Sequence, residues 1–407
     1  MFNLVNKNKT FTVFDIGADK VACVVFRLIN DKPKIIAMDH KKSSGIKKNK
    51  LYDPNQLSMV IEKVFANTIK KLDRKKNNII FSNITDSNIL SKKKFTEINS
   101  GKFGITKKIV RKIFKKSILN STIKGKQLIH SFPINFYIDN KKITDKPIGQ
   151  ICEKFGISCF NLMVDRFCFE ALHNCYKKKK ISVKGFFDSG VASSISSLTN
   201  SEKNQGSVCI DIGSSSSKVV VYLKNKIVYV ANIPIGGNDV TLDISKGLEI
   251  SPESAELAKI IYGTLNLPFN EKIEIDLDSN EKKLISKNLL YGIIKPRYEE
   301  ILEIIRDNLF DNLYARIGIN SIVLTGGASK IFGIENLSEH IFNRKSRIGR
   351  IERPDSFFHN KPEFSTLLGL IELAKNYNKY DFATEYLNNK FLTIYDRVEN
   401  WIEDSYA

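Results

Sequence analysis

This chain of 407 residues contains no apolar run that approaches the length needed to span a membrane, for which a helix needs about 20 residues. No signal peptide opens it. These two absences point to a cytosolic protein, unless something anchors it peripherally. Paired cysteines are missing too. Cys23, Cys152, Cys159, Cys168, Cys175 and Cys209 form no CxxC. Cys168 and Cys175 stand one heptad apart with His173 between them, and read as ordinary buried, reduced thiols. Two common nucleotide signatures are also lacking. There is no GxxxxGKS/T, which excludes a P-loop, and no GxGxxG after a strand, which excludes a Rossmann fingerprint.

Positive charge, by contrast, is abundant. The formal net charge of +20 would ordinarily raise nucleic acid as a partner. Here lysine is scattered nearly everywhere. Its clusters at 41–50, 70–76, 92–94, 107–126 and 177–180 are not interleaved with any recognisable RNA- or DNA-reading motif. They read as solvated faces, and no nucleic-acid partner is expected. A basic face still favours approach to an anionic membrane or an acidic partner. The length exceeds what one core usually supports, so two or more domains are expected, and 42% apolar residues are enough to fill them.

Two stretches about two hundred residues apart are the most informative. Phe14-Asp15-Ile16-Gly17-Ala18-Asp19-Lys20 lies between two apolar runs, and so does Asp211-Ile212-Gly213-Ser214-Ser215-Ser216-Ser217-Lys218. Each predicts strand, acidic residue, tight glycine turn, second strand. A glycine directly after a strand removes the side chain that would block a phosphate, and lets backbone amides point inward. The serines add hydroxyl donors. Asp15 and Asp211 would repel phosphate by themselves, and make sense as holders of Mg2+ against bound nucleotide phosphates. Either hairpin alone reads more readily as a simple type I′ or bulged turn. The duplication, with a third strand-terminal site at Gly326-Gly327-Ala328 after the apolar run 319–324, suggests phosphate, phosphate and adenosine, gripped from two sides.

Periodicity predicts helices over 57–72, 107–119, 191–198, 252–262, 296–313, 335–342 and 364–377. Strands are predicted at 11–29, 34–38, 78–84, 128–137, 157–164, 182–187, 227–233 and 273–277. Residues 85–161 change character and read as an insertion into the first sheet.

The arrangement resembles the actin, Hsp70 and sugar-kinase superfamily, and within it the bacterial FtsA cell-division family. The stretches that carry the resemblance are Val191-Ala192-Ser193-Ser194 through Asp211-Ile212-Gly213, and Ile233-Pro234-Ile235-Gly236-Gly237-Asn238. Further matches are Glu256 with Tyr262-Gly263, Pro296-Arg297-Tyr298-Glu299-Glu300, Ile322 to Gly327, and Arg347-Ile348-Gly349. The resemblance covers most of the chain and is weakest over 30–160. It implies an α/β, actin-like two-lobed ATPase fold with an FtsA-type inserted 1C subdomain. Subdomain 1A would take 1–84 and 162–200, 1C would take 85–161, 2A would take 201–236 and 316–350, and 2B would take 237–315. Return helices would follow at 351–378, a linker at 379–390 and a C-terminal amphipathic helix at 391–407.

It further implies ATP and Mg2+ as cofactors, with Glu256 and Lys259 by the ribose or base, Gly326, Gly327 and Ala328 around the adenosine, and Gly237 also in the nucleotide site. Expected partners are a C-terminal peptide of FtsZ on 2B, other copies in actin-like filaments, later division proteins on 1C, and membrane lipid at the tail. The expected location is the cytoplasmic side of the inner membrane at the division site.

Three departures stand out. The second turn carries Ser214 to Ser217 and Lys218 where the family has Gly-Gly-Thr-Thr followed by Asp or Ser, and Lys218 offers an extra phosphate contact. No evident general base is present, since Asp188 stands where the family position is usually apolar; ATP binding is therefore expected, with at most slow hydrolysis. The tail has an apolar stripe of Phe391, Leu392, Ile394, Tyr395, Val398, Trp401 and Ile402, but Asp396, Glu399, Glu403 and Asp404 outnumber Arg397. A pilus-assembly adaptor and a sugar or acetate kinase are the alternatives within the superfamily.

Overall fold

The computed structural model describes residues 10–47, 50–70, 78–101, 104–142, 146–269, 271–277, 282–310, 318–350 and 358–376. The chain forms two compact units. Of the described residues, those up to Ala192 other than Lys47, together with residues 369–376, make the first, and those within Ser193–Leu368 make the second.

In the first unit a five-stranded sheet runs in the order Val183–Asp188, Asn78–Ile84, Thr10–Ile16, Lys20–Ile29, Lys32–Lys42. Thr10–Ile16 pairs antiparallel with Lys20–Ile29 and parallel with Asn78–Ile84. Every residue of Thr10–Ile16 is buried, as expected of a central strand covered on both faces. Asn30 and Asp31, at φ of 50° and 57°, make the tight turn into the third strand, where their short polar side chains tolerate left-handed backbone. The helix Pro54–Ile69 starts on Pro54, with the Asp53 carboxylate accepting from the amides of Asn55 and Gln56, an N-cap that satisfies two orphan donors. Its Leu57, Ile61 and Val64 share a core with Phe14, Phe169, Tyr176 and Phe186.

A second, four-stranded antiparallel sheet in this unit takes the order Leu90–Asn99, Lys154–Asp165, Lys126–Ile138, Lys141–Lys142. The helix Lys107–Asn120 packs on it through Val110, Ile113, Phe114 and Ile118. Leu90–Asn99 is a strand that the sequence pattern did not predict. It lies at the sheet edge, where Lys92, Lys93 and Lys94 are exposed, a usual way of discouraging edge-to-edge pairing.

The second unit repeats the first sheet's plan. Lys226–Ile233, Ser217–Leu223, Ser207–Ile212, Ser321–Thr325 and Lys345–Ile348 lie side by side, three antiparallel and then two parallel. Lys224 and Asn225, at φ of 52° and 61°, reproduce the Asn30–Asp31 turn. Between the third and fourth strands come the helices Gly237–Leu248, Pro252–Tyr262 and Lys287–Phe310 and the hairpin Lys272–Asp276 with Lys282–Ser286.

The last of these helices differs from its expected span. Pro296 lies inside it rather than opening it, because Leu290 and Ile294 continue the buried stripe of Tyr298, Ile301, Leu302 and Ile305. Burial of that stripe outweighs the hydrogen bond that proline removes. Among the described residues no helix is long and apolar enough to cross a membrane, and no three His, Cys, Asp or Glu side chains cluster as metal ligands. All six cysteines are free, and burial pushes the Cys175 thiol up to about 11.

Candidate functional site

Within the second unit, Asp211, Gly213, Lys218, Gly237, Gly326 and Ala328 come together around one turn. Asp211 is the penultimate residue of the buried strand Ser207–Ile212 and sits directly across the antiparallel pair from Lys218, with its Oδ2 4.0 Å from the ammonium. The turn between them is closed by the Gly213 amide donating to the Ser216 carbonyl at 2.9 Å. The start of the Gly237–Leu248 helix docks on this turn. The Gly237 amide donates to the Gly213 carbonyl at 2.9 Å and the Asn238 amide to the Ser214 carbonyl at 2.7 Å. Gly236 has to be glycine here, because a Cβ would stand 2.6 Å from the Gly213 carbonyl and 2.7 Å from that of Ser214.

From the other side arrives the loop after Ser321–Thr325. Gly326 has a φ of 88°, and a Cβ on it would lie 2.3 Å from Asp211 Oδ1 and 2.4 Å from the Ile212 carbonyl. Gly237 in turn touches Ala328, since a Cβ on Gly237 would be 2.9 Å from the Ala328 Cβ. Three backbones thus meet along a seam with no room for side chains. Ser216 is 1% exposed, and its hydroxyl has no hydrogen-bond partner. A buried hydroxyl left alone is costly, and an acceptor arriving at the turn would relieve that cost. Glycine amides, serine hydroxyls and an ammonium are the donor set a polyphosphate requires.

Glu256 and Lys259 lie beside Gly237 rather than in the turn itself. Lys259 Nζ donates to the Gly237 carbonyl at 2.9 Å, Thr241 Oγ1 at 2.7 Å and Glu256 Oε2 at 2.6 Å. Those three bonds use all three ammonium protons. The Lys259 ammonium therefore braces the start of the helix, while Glu256 keeps about half its side chain exposed at 46%. Tyr298 adds a brace from below, donating its hydroxyl to the Ala328 carbonyl at 2.9 Å.

The first unit's hairpin has the same local form. Its turn is closed by the Gly17 amide donating to the Lys20 carbonyl at 2.9 Å, and the Asp19 carbonyl accepts from Ser43. Ala18 lies between them in this turn. Asp15 Oδ1 accepts from Asn83 Nδ2 at 2.9 Å. Asn83 also accepts the Ile16 amide at 2.6 Å and donates to Ser189 Oγ at 3.0 Å. Sequence reasoning missed Asn83, Ser189 and Thr366, the last of which donates to Asp211 Oδ2 at 3.3 Å. Asn83 at the end of a predicted strand was the only signal available. Asp188 is occupied elsewhere. Its Oδ1 accepts the Val191 amide at 2.8 Å, capping a helix, and its own amide donates to His130 Nε2 at 3.0 Å. Full burial lowers the His130 pKa from 6.5 to about 3. The apolar tail residues Phe391 to Ile402 lie outside the described residues.

Comparison with known proteins gives a consistent picture. The family model for "Cell division protein FtsA" matches residues 208–369. A cell division protein FtsA of Agrobacterium fabrum is 26% identical over 359 residues, covering 83% of this chain and 80% of that protein. Among solved structures, the PilM–PilN type IV pilus biogenesis complex superposes with a TM-score of 0.65 at 14% identity, over 89% of this chain and 98% of that one. MreB5 of Spiroplasma citri bound to ADP gives 0.56 at 15% identity, over 94% and 99%. The fold is actin-like.

Proposed function

We infer that this chain, a relative of the FtsA cell-division proteins, is an ATP-binding, actin-like adaptor of the division apparatus rather than a metabolic enzyme. One observation carries the reading: the glycine seam of Gly213, Gly236 and Gly326 converges beside Asp211, with the Ser216 hydroxyl buried and unpartnered. In this reading the Gly213–Ser216 turn binds ATP phosphates, and Gly326, Gly327 and Ala328 line the adenosine, with Gly237 and Glu256 nearby and Lys259 holding the helix entry in place. The hairpin of the first unit, with Asp15, Gly17, Ala18, Asp19 and Lys20, offers backbone amides and an ammonium of the same kind, without the serine hydroxyls. A fold relative, MreB5, is known bound to ADP, which supports a nucleotide as the ligand.

Of the two carboxylates expected to hold Mg2+, Asp15 accepts from Asn83 at 2.9 Å and Asp211 faces the Lys218 ammonium at 4.0 Å. The ion, when bound, would neutralise charge on the phosphates. At most slow turnover is expected, and the engagement of two carboxylates supports that expectation. Asp188 Oδ1 caps a helix through Val191 and Asp15 Oδ1 is engaged by Asn83, so each has one oxygen committed to structure rather than to proton transfer. That weighs against a sugar or acetate kinase. A pilus-assembly adaptor shares the fold, but the sequence kinship is with the division proteins.

By the same kinship, 237–315 is proposed as the lobe that binds the C-terminal peptide of FtsZ, and 85–161 as the surface for later division proteins. ATP would favour assembly of copies into filaments by shifting a conformational population. Residues 391–407 would hold the assembly to the cytoplasmic face of the inner membrane. Calorimetric titration with ATP and with the FtsZ peptide tests the binding roles, and an absence of saturable heat in both would overturn the reading. Vesicle pelleting with and without residues 391–407 tests the anchor, and equal pelleting would remove it.

A further inference from the structure

We propose that Lys218 is a built-in cation of the second unit's phosphate turn, so that nucleotide binds this protein without depending on Mg2+. The inference rests on the ATP-binding reading above and concerns what neutralises the phosphates. Lys218 stands directly across the strand pair from Asp211, a register that holds opposite charges together. Its Nζ is 4.0 Å from Asp211 Oδ2, and the two side chains are only 16% and 5% exposed. The same Nζ lies 3.0 Å from where a Gly213 Cβ would be. The ammonium is thus held over the glycine of the turn, beside the carboxylate.

The neighbouring lysine shows the contrast. Lys259 has all three protons bound by Gly237, Thr241 and Glu256, whereas Lys218 is at ion-pair rather than hydrogen-bond distance from Asp211. Its protons suit a phosphate oxygen entering the turn, which also carries the unpartnered Ser216 hydroxyl. The carboxylate, for its part, is crowded. Oδ2 accepts from Thr366 at 3.3 Å as well as facing the ammonium, and the Gly326 backbone closes on Oδ1. A divalent ion on Asp211 would meet a fixed positive charge at the same oxygen, and like charges in a poorly solvated site repel strongly. The lysine therefore weakens the metal's place while supplying the charge the metal would bring.

The test is the nucleotide dissociation constant of the full chain, read with a fluorescent ATP analogue in Mg2+ and in EDTA. The wild-type ratio of the two constants is expected to stay within about threefold, and Lys218→Ser is expected to raise it to about tenfold or more. Lys218→Arg, which keeps the charge, should give a low ratio, and circular dichroism checks that each variant is folded. Wild-type binding that weakens about tenfold or more in EDTA would overturn the proposal while leaving ATP binding intact. An absence of binding in both media would overturn the ATP reading and this inference with it.

Discussion

A methyl group at Gly326 is the smallest change that closes the glycine seam. It would stand 2.3 Å from Asp211 Oδ1 on a backbone at φ of 88°, where L side chains are strained even in open space. Gly326→Ala should therefore cost about 2 kcal/mol of stability or more, and weaken ATP binding about tenfold or more. Thermal melts and calorimetry read the two effects separately.

At the other pole of residue chemistry stands His130, neutral, stacked between Phe132 and Phe187, and accepting the Asp188 amide. Because burial lowers its pKa to about 3, the unfolded chain takes up this proton first as pH falls. The stability it contributes is whole above its ordinary value of 6.5 and is lost from there toward about 3, at up to about 1.4 kcal/mol per pH unit. His130→Leu should flatten that acid slope in urea melts. It should also lower neutral-pH stability by about 1–3 kcal/mol, because the Asp188 amide loses its acceptor.

Among the elements, the helix Lys287–Phe310 is held together by burial rather than by propensity. It contains Pro296, and a Cβ at Gly292, four residues earlier, would meet nothing within 4 Å. Gly292→Ala should therefore stabilise the protein by about 0.5–1 kcal/mol, and a lower urea midpoint would contradict this account of the helix. The short helix Asn200–Gln205 is sustained differently. Thr199 and Glu202 close a capping box, and Arg347 clamps both Glu202 oxygens at 2.7 and 2.6 Å. Burial alone would raise the Glu202 pKa, but the hydrogen bonds from Arg347 and Thr199 outweigh it and the net shift is downward. Six residues would not hold a helix without that clamp.

For the whole molecule, the repeated sheet plan gives each unit an acid-and-glycine turn at the end of its own first strand. A ligand that engages only folded protein stabilises it by mass action. ATP at about one hundred times its dissociation constant should raise the unfolding free energy by about 2.7 kcal/mol. Thermal unfolding with and without ATP checks this, and unchanged melting at saturating ATP would contradict the proposed function.

What the sequence determined by itself was local. Apolar runs broken by Asp15-Ile16-Gly17 and Asp211-Ile212-Gly213 dictate strand, turn and strand through backbone preferences that act over a few residues. The helix at 252–262 and the strand at 78–84 were equally legible from pattern and capping. Strand Leu90–Asn99 was not, because its lysines hide the alternation and its pairing with Lys154–Asp165 supplies the order. The tertiary structure alone decided which distant groups meet: Asn83 on Asp15 across 68 residues, and Thr366 on Asp211 across 155. It also set Lys259 apart as a brace and left Lys218 over the turn. Hydrogen-bond partners so far apart in sequence are chosen by packing of the sheets, and no local preference encodes that choice.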